Sequence, residues 1–425
     1  MQRRNSAEKV PIHAFEPNRQ AAASLAALIG PTLAMLAVLT AAAFSVYSTA
    51  VLAPEVGASL DADPKLIGPY TAVIYLVAAV TGAFTGRLIR GLGAIRTCQI
   101  TLLAAAAGLL LGASGWLFLI AISTAFFGFA YGPFNPASAH VLSGLATPRW
   151  RPLVFSIKQL GVPLGGALAG SLTPLMALSY GWQGAVLTIA AVNLMVAIAI
   201  EPLRARFDTL ELRRAVPLTR GVLAPIRLVL GNHRLRWYTW VAFTYAGSQL
   251  CLASMLVVYL HEALALDIAA AGLVLASMQI GGVFGRIVWG AIAGQLLSPG
   301  IMLMAVGVVN ALCIAVLSGY GPEVDYGLLC LTSFVLGSVA LGWNGIVLSE
   351  VVTHAPAGRQ ADATAGVQMV MFGGVVSFPV LFYQLVQTTR DYTLAFAMLI
   401  VVMGLGLLGL SRLVLLERAA RPEVC

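Results

Sequence analysis

The chain has 425 residues, of which 59% are apolar and 10% are charged, and its mean hydropathy is +0.90. Soluble domains hold about 45–50% apolar and about 25% charged residues, so this composition excludes a soluble enzyme, a disordered protein and a nucleic-acid-binding module. The formal net charge of +8 therefore has to be interpreted loop by loop, and not as one basic surface.

Apolar runs that are long enough to cross a bilayer, which takes roughly 20 residues of helix, recur along the whole chain. They exceed the length of barrel strands and do not alternate, so they predict an all-α polytopic membrane protein. We expect twelve transmembrane helices, near residues 27–50, 66–88, 97–114, 117–141, 152–176, 183–201, 237–260, 268–292, 301–319, 326–350, 362–387 and 391–414.

Basic residues fall almost entirely on one side of these spans. With the N-terminus inside, 21 of the 25 lysines and arginines lie in cytoplasmic segments, whereas only Lys65 and Arg390 lie in the opposite loops. Because cytoplasmic loops carry an excess of basic residues, both termini are predicted to be cytoplasmic. We expect a multi-pass protein of the plasma membrane, which is the inner membrane if the source is bacterial. The expected organisation is a cytoplasmic tail (1–26), a six-helix half (27–201), a basic cytoplasmic loop (202–236), a second six-helix half (237–414) and a cytoplasmic tail (415–425).

The turn after span 2 carries Gly82, Gly86, Arg90, Gly93 and Arg96. Its glycines and final arginine resemble the loop motif of the major facilitator superfamily, G-x-x-x-D-R-x-G-x-R-R. The resemblance implies that this turn belongs to a conformational gate. In the family the acid of the motif takes part in a charge network that locks one conformation, but here Arg90 stands at the position of that acid.

Four further residues of the first half are candidates for function. Tyr47 and Tyr75 are either outer-half substrate contacts or ordinary interface aromatics. His140, near the cytoplasmic end of span 4, either couples protons or pairs with a loop group. Lys158 lies within span 5, where a charge costs about 2.5–3.5 kcal/mol at the centre of a helix. It either extends its ammonium to the interface or binds substrate.

Span 8 holds Arg286, the second charge that lies away from the span ends, followed by the glycine turn Gly290 to Gly294. Arg286 and Lys158 are predicted to lie at similar depths, and no Asp or Glu lies within a span away from its ends, so an anionic substrate is the expected counter-charge. Arg286 also resembles the span-8 arginine of monocarboxylate transporters and oxalate/formate antiporters, which implies that it binds a carboxylate. Those antiporters carry a second cation in span 11, where Gln368 and its neighbours are neutral.

Polar residues within the later spans are further candidates. Gln249, Asn344 and Gln368 lie in spans 7, 10 and 11, where they either bind substrate or form hydrogen bonds between helices. Glu350 lies near the cytoplasmic end of span 10 and either couples protons or pairs with a loop arginine.

The two halves repeat each other. Residues 148–151 and 356–359 share P-x-x-R spacing after spans 4 and 10, and G-x-x-x-G recurs at 82–86 and 281–285. Two related six-span halves are typical of transporters built from repeats around a central site. Over essentially the whole chain they resemble the major facilitator superfamily, which implies two pseudo-symmetric six-helix bundles. Small residues permit close helix contacts, and we expect the glycines at interfaces where the halves slide.

These features predict a secondary transporter of a small organic anion, a monocarboxylate in particular, that works by alternating access as a monomer with H⁺ as a candidate coupling ion. The chain contains no Walker loop, HExxH or G-x-S-x-G, which argues against ATP-driven transport and against an enzyme. We expect no cofactor, no metal and no nucleic-acid partner. The alternatives are efflux of drugs or amphipathic metabolites, transport of an inorganic anion such as nitrate, and a non-transporting membrane receptor or scaffold.

Overall fold

The computed structural model describes residues 25–62, 67–208 and 221–419. Several residues named above lie outside the described part of the chain. They are nearly all of the predicted N-terminal tail, Lys65, the loop segment 209–220 and the last residues of the C-terminal tail, 420–425.

The described part of the first half is built from helices alone. They are α1 (Leu25–Leu60), α2 (Ile67–Gly82), α3 (Thr85–Leu92), α4 (Ala94–Ala113), α5 (Leu117–Ser143), α6 (Arg151–Gln159), α7 (Gly161–Ala199) and α8 (Glu201–Phe207). Apolar runs of this kind become helices because a lipid environment offers the backbone no other hydrogen-bond partners.

The second half is also helical. It contains α9 (Ala224–Gly231), α10 (His233–Glu262), α11 (Ile268–Ile292), α12 (Pro299–Ser318), α13 (Tyr326–Ala340), α14 (Asn344–His354), α15 (Gln360–Thr389) and α16 (Tyr392–Ala419). The all-α prediction is therefore confirmed for the residues that the structure describes.

Ten helical segments of the described chain are long and apolar enough to cross a bilayer, or eleven if α2 and α3, bent by 55°, form one span. One of the ten, 151–199, covers both predicted spans 5 and 6. Tyr180 and Gly181 (φ 79°) leave the helical conformation in the middle of α7, so this segment can be divided there into two spans. With that division and the bent pair α2 and α3 the count would be twelve, which stays a prediction.

Glycines bring helix backbones into contact at matching places in the two halves. Gly132 of α5 lies against the carbonyl oxygen of Ala78 in α2, and Gly285 of α11 lies against that of Ser338 in α13. A β-carbon at either glycine would overlap the facing carbonyl oxygen. Spans 2 and 4 therefore meet in the same way as spans 8 and 10.

A second pair of contacts repeats the pattern. Gly165 of α7 meets the carbonyl oxygen of Thr40 in α1, and Gly374 of α15 meets that of Phe243 in α10. Spans 1 and 5 thus correspond to spans 7 and 11, as expected of related repeats. These four glycines contact helices of their own half, so the expectation that they line sliding interfaces between the halves is wrong for them.

Each half has its own core. One buried apolar cluster runs from Val229 to Leu413 entirely within the second half. Two others lie largely within the first half, joined from the second by Val352, Ala361 and the partly buried Leu348. The chain is therefore two bundles, each with its own buried interior.

The two bundles meet where the arginines gather. α6 packs against α11 and α14, while α15 packs against α2, α3 and α5. Gly290 of α11 and Gly345 of α14 both pack against Ser156 of α6. A β-carbon on Gly294 (φ 82°) would lie 3.3 Å from the carbonyl oxygen of Arg149. We call the contact at Ser156 the seam. The arginine-rich face is the side of the molecule that holds Arg87, Arg90, Arg96, Arg151, Arg204 and Arg359.

Part of the predicted central loop is ordered as helix. Pro225 and Val229 of α9 are buried, and the Pro225 carbonyl lies against Gly366 of α15. The loop therefore does more than link the halves, because α9 packs on a span of the second half.

The beginning of α4 is fixed by two acids from the segment that follows α7. Asp208 accepts hydrogen bonds of 2.9 Å from the backbone N–H groups of Ile95 and Arg96, where an acid stabilises the helix N-terminus. Arg96 pairs with Glu201 at 3.4 Å, so it holds α8 in place and does not reach the other half. Hydrogen bonds from Gln99 and Arg204, with the nearby arginine charges, hold the pKa of Glu201 below its ordinary value.

We expect Gly285→Ala to destabilise the second half, because its β-carbon would collide with the Ser338 carbonyl. Overpacking of this kind costs about 1–3 kcal/mol, which should lower the thermal unfolding temperature of the detergent-purified protein. Gly404→Ala on α16 is the matched control, since no atom lies within 4 Å of a β-carbon there. Equal unfolding temperatures for the two variants would contradict the backbone contact.

Candidate functional site

The most unusual charged group in the described chain is Arg286 of α11. Only 3% of the surface of Arg286 is exposed, and its Nε and Nη1 atoms are buried without a hydrogen-bond partner among the described residues. No ion pair with an acid of the described residues reaches it. Leaving a buried donor without a partner costs roughly 1–3 kcal/mol, and more when the donor is charged. This guanidinium can therefore donate hydrogen bonds to an acceptor group on a ligand.

Arg286 lies at the boundary between the halves. It precedes Gly290 by one helical turn, so both share the face of α11 that meets α6 at the seam. Its guanidinium interacts electrostatically with Tyr47 of α1 and Tyr131 of α5, which belong to the first half. The cation of one half therefore faces the other half, directly beyond the closed seam.

Two tyrosines of the first half, Tyr47 and Tyr131, interact with Arg286, and a third, Tyr75, packs against Tyr131. The hydroxyl groups of Tyr47, Tyr75 and Tyr131 form no hydrogen bond with any described residue, and none of the three oxygens is fully buried. The Tyr75 ring meets the Tyr131 ring edge-on at 6.0 Å and the ring of Phe372, from the second half, at 5.4 Å. Tyr131, which the sequence analysis did not name, thus packs beside Tyr75, and the role of Tyr47 and Tyr75 as substrate contacts stays a prediction.

Gln249 and Asn344 lie together on the second half. Gln249 Oε1 accepts hydrogen bonds from Trp343 Nε1 at 3.1 Å and from Asn344 Nδ2 at 3.0 Å. The two remaining polar atoms, Gln249 Nε2 and Asn344 Oδ1, have no partner among the described residues and are not enclosed. The pair therefore satisfies part of its own hydrogen-bonding capacity and leaves one donor and one acceptor open.

Span 10 is interrupted just before Asn344. α13 ends at Ala340 and α14 begins at Asn344, and the N–H groups of Ile346 and Val347 both bond to the Trp343 carbonyl at 3.1 Å. No side chain caps this end, and the N–H groups of Asn344 and Gly345 find no acceptor in the described chain. The positive end of an 11-residue helix thus lies inside the bundle, as in transporters whose broken helices face an anionic group.

Gln368 and Lys158 lie elsewhere. Gln368 of α15 donates from Nε2 to the Gly132 carbonyl of the first half at 3.5 Å, and its Oε1 is buried without a partner. Lys158 is fully enclosed in the first half, where it bonds to Asn135 Oδ1 at 2.7 Å and lies 5.2 Å from the centre of the Phe134 ring. Lys158 therefore does not join Arg286 in this conformation, and its predicted role in substrate binding stays a prediction.

The gate residues of the sequence meet an acid from the other half. Asp362, in the first turn of α15, accepts a hydrogen bond from Arg359 Nε at 3.0 Å and pairs with Arg90 at 3.7 Å. Gly86 lies directly against its carboxylate. An acid of the opposite half thus lies beside Arg90, so a charge network is present at this turn although the acid of the motif itself is absent. Gly82 packs against Gly132 of α5, and Gly93 (φ 99°) lies beside Asp208.

The two candidates for proton coupling lie near the arginine-rich face. His140 interacts electrostatically with Asp208 and Arg90. Glu350 accepts a 2.9 Å hydrogen bond from Tyr238 and lies 3.7 Å from His354 Nδ1. Both therefore belong to polar clusters at that face, and their role in proton coupling stays a prediction.

Sequence reasoning missed Tyr131 and Asp362. An apolar span with an aromatic residue resembles any other, so Tyr131 gave no signal. Asp362 was visible as an acid at the start of span 11, but its partners come from a different half of the chain. Among the described residues no group of three His, Cys, Asp or Glu side chains is arranged to hold a metal ion.

Comparison with known proteins places these features in a wider group. The family profile described as Major Facilitator Superfamily matches residues 33–379. An uncharacterised MFS-type transporter of Mycobacterium tuberculosis is 25% identical over 320 residues, which cover 73% of this chain and 67% of that protein.

Two solved structures share the fold. The E. coli fucose:proton symporter FucP superposes with a TM-score of 0.73 at 16% identity, covering 90% of this chain and 98% of that one. The human organic anion transporter TETRAN superposes with a TM-score of 0.69 at 16% identity, covering 89% and 99%.

We expect Asp362→Asn to loosen the closure of the arginine-rich face, because Arg90 and Arg359 would lose their shared counter-charge. Ser156→Cys, introduced into the buried seam, reports this opening through its rate of modification by a maleimide, after subtraction of the parent protein's rate. That rate should rise at least threefold with Asp362→Asn. Glu323→Gln, an exposed acid on a loop, is the control and should leave it unchanged. An unchanged rate with Asp362→Asn would show that the pair does not hold the face closed.

Proposed function

This chain belongs to the Major Facilitator Superfamily, and from that membership we propose that it carries a small organic anion across the membrane by alternating access. The proposal rests on one observation, the buried and unpartnered guanidinium of Arg286 between the two halves. It includes twelve spans, both termini in the cytoplasm, a monomeric carrier and a proton as candidate coupling ion.

The charge balance favours an anion. Arg286 carries a full charge at any physiological pH, and no described acid pairs with it. A carboxylate offers two oxygens in the plane that a guanidinium fork matches, so it can accept from two N–H groups at once. The uncapped start of α14 belongs to the same half and contributes a partial positive charge. Both features favour a negatively charged group, and a monocarboxylate is the simplest one that fits.

The location of the site supports alternating access. Arg286 belongs to the second half and the tyrosines that face it belong to the first. A ligand held between them contacts both rigid bundles, so opening of the seam on the arginine-rich face changes which side of the membrane it can reach. The fold itself does not choose the cargo, because the structural relatives include carriers named for a sugar and for organic anions.

We expect Arg286→Gln to abolish uptake of carboxylates into proteoliposomes while the protein stays folded. Removing an unpaired buried charge often leaves stability unchanged or raises it, so the unfolding temperature without ligand should not fall. A ligand at 100 times its Kd stabilises the wild type by about 2.7 kcal/mol, and this response should disappear in the variant. Arg390→Gln, on the opposite face, is the matched control. Retained uptake in Arg286→Gln would remove the central claim.

A second prediction concerns the end of α14. Asn344→Asp places a carboxylate of nearly the same shape at a helix N-terminus, which favours an acid there. The new charge should compete with the substrate anion and weaken its binding at least tenfold. Binding is measured by titration calorimetry of the purified protein with Asn344→Ser as the neutral control. Wild-type affinity in Asn344→Asp would place the anion away from α14.

A further inference from the structure

We propose that the cargo is a hydroxylated carboxylate, a hydroxy acid or sugar acid, whose carboxylate binds Arg286 and whose hydroxyl groups bind the tyrosines of the first half. This inference rests on the proposed function and names the chemical class of its substrate. It rests on the polar atoms near Arg286 that have no hydrogen-bond partner among the described residues.

Some of these open atoms are acceptors as well as donors. The guanidinium of Arg286 and the N–H groups of α14 can only donate, and a carboxylate, which only accepts, suits them fully. The hydroxyl groups of Tyr47, Tyr75 and Tyr131 each donate and accept, and none has a partner among the described residues. Asn344 Oδ1 is an additional open acceptor.

A plain carboxylate therefore leaves the site incomplete. It brings no hydrogen-bond donor at neutral pH, so the tyrosine oxygens and Asn344 Oδ1 would lose water on closure without gaining a donor. A ligand hydroxyl supplies a donor and an acceptor together, which is the combination that a phenol matches. Three such phenols call for more than one hydroxyl on the ligand.

The two recognition elements are divided between the halves. The cationic element, Arg286 with the start of α14, belongs to the second half, whereas the tyrosines belong to α1, α2 and α5. The rings of Tyr75, Tyr131 and Phe372 add apolar faces on which the C–H groups of a short carbon chain can rest. A ligand with its charge at one end and its hydroxyl groups along the other end meets both elements at once.

Sites that bond to a substrate hydroxyl discriminate strongly against the analogue that lacks it, because their own polar groups stay unpaired. The test compares matched acids of equal chain length with the detergent-purified full chain by titration calorimetry: propanoate with 2,3-dihydroxypropanoate, and hexanoate with gluconate. We expect the hydroxylated member of each pair to bind at least tenfold more tightly.

Conservative variants locate the source of this preference. Tyr47→Phe, Tyr75→Phe and Tyr131→Phe each remove one hydroxyl and keep the ring, so each should reduce the hexanoate-to-gluconate ratio of Kd at least threefold. Hexanoate affinity itself should change little in these variants. Tyr383→Phe, on the exposed side of α15, is the control and should leave the ratio unchanged.

Two outcomes would overturn the inference, and they are distinguishable from failure of the proposed function. Equal binding of the two members of each pair, or an unchanged ratio in all three variants, would remove the hydroxyl preference and leave the anion carrier intact. Glucose that binds as tightly as gluconate, with binding that survives Arg286→Gln, would instead overturn the anionic cargo. No binding of any acid would overturn both.

Discussion

Helices in a bilayer gain nothing from hiding apolar side chains, because lipid tails are as apolar as leucine. What holds each half of this protein together is therefore contact between backbones, which the glycines make possible. Gly132 and Gly285 rest on facing carbonyl oxygens at corresponding crossings, and Gly165 and Gly374 do the same at a second pair of crossings. Such crossings leave no room for helices to slide, so each bundle is a rigid unit and motion is left to the boundary between them.

That boundary is built differently. At the seam, small residues meet without interlocking side chains, and the closure of the arginine-rich face is completed by one acid shared between Arg90 and Arg359. Partly exposed ion pairs contribute little free energy and form and break readily. Rigid bundles joined by a weak polar contact on one face are the mechanical arrangement that alternation between two conformations requires.

The sequence reached the spans, the two halves and Arg286 because each is a local signal: a run of apolar residues, a repeated spacing, or a charge where none belongs. Arg286 has remained the centre of the candidate site for that reason. Asp362, Tyr131 and the interruption before Asn344 were not reached, because their meaning depends on which residues of a distant span lie opposite. Lys158 illustrates the same limit. Its depth along the span could be predicted from the sequence, but the direction of its side chain could not. The side chain points to Asn135 of α5.

The solitary charge of Arg286 has an electrical consequence. Under the proposed function, a bound monoanion cancels the guanidinium charge, so the loaded site is neutral while the empty site is positive. Only the empty form then feels the membrane potential, which is worth about 2.3 kcal/mol for one charge moved across 100 mV. A potential that is negative inside draws the empty site toward the interior and leaves the loaded step unaffected. The membrane potential thus acts on the reorientation of the empty carrier, and it does so through the charge of Arg286.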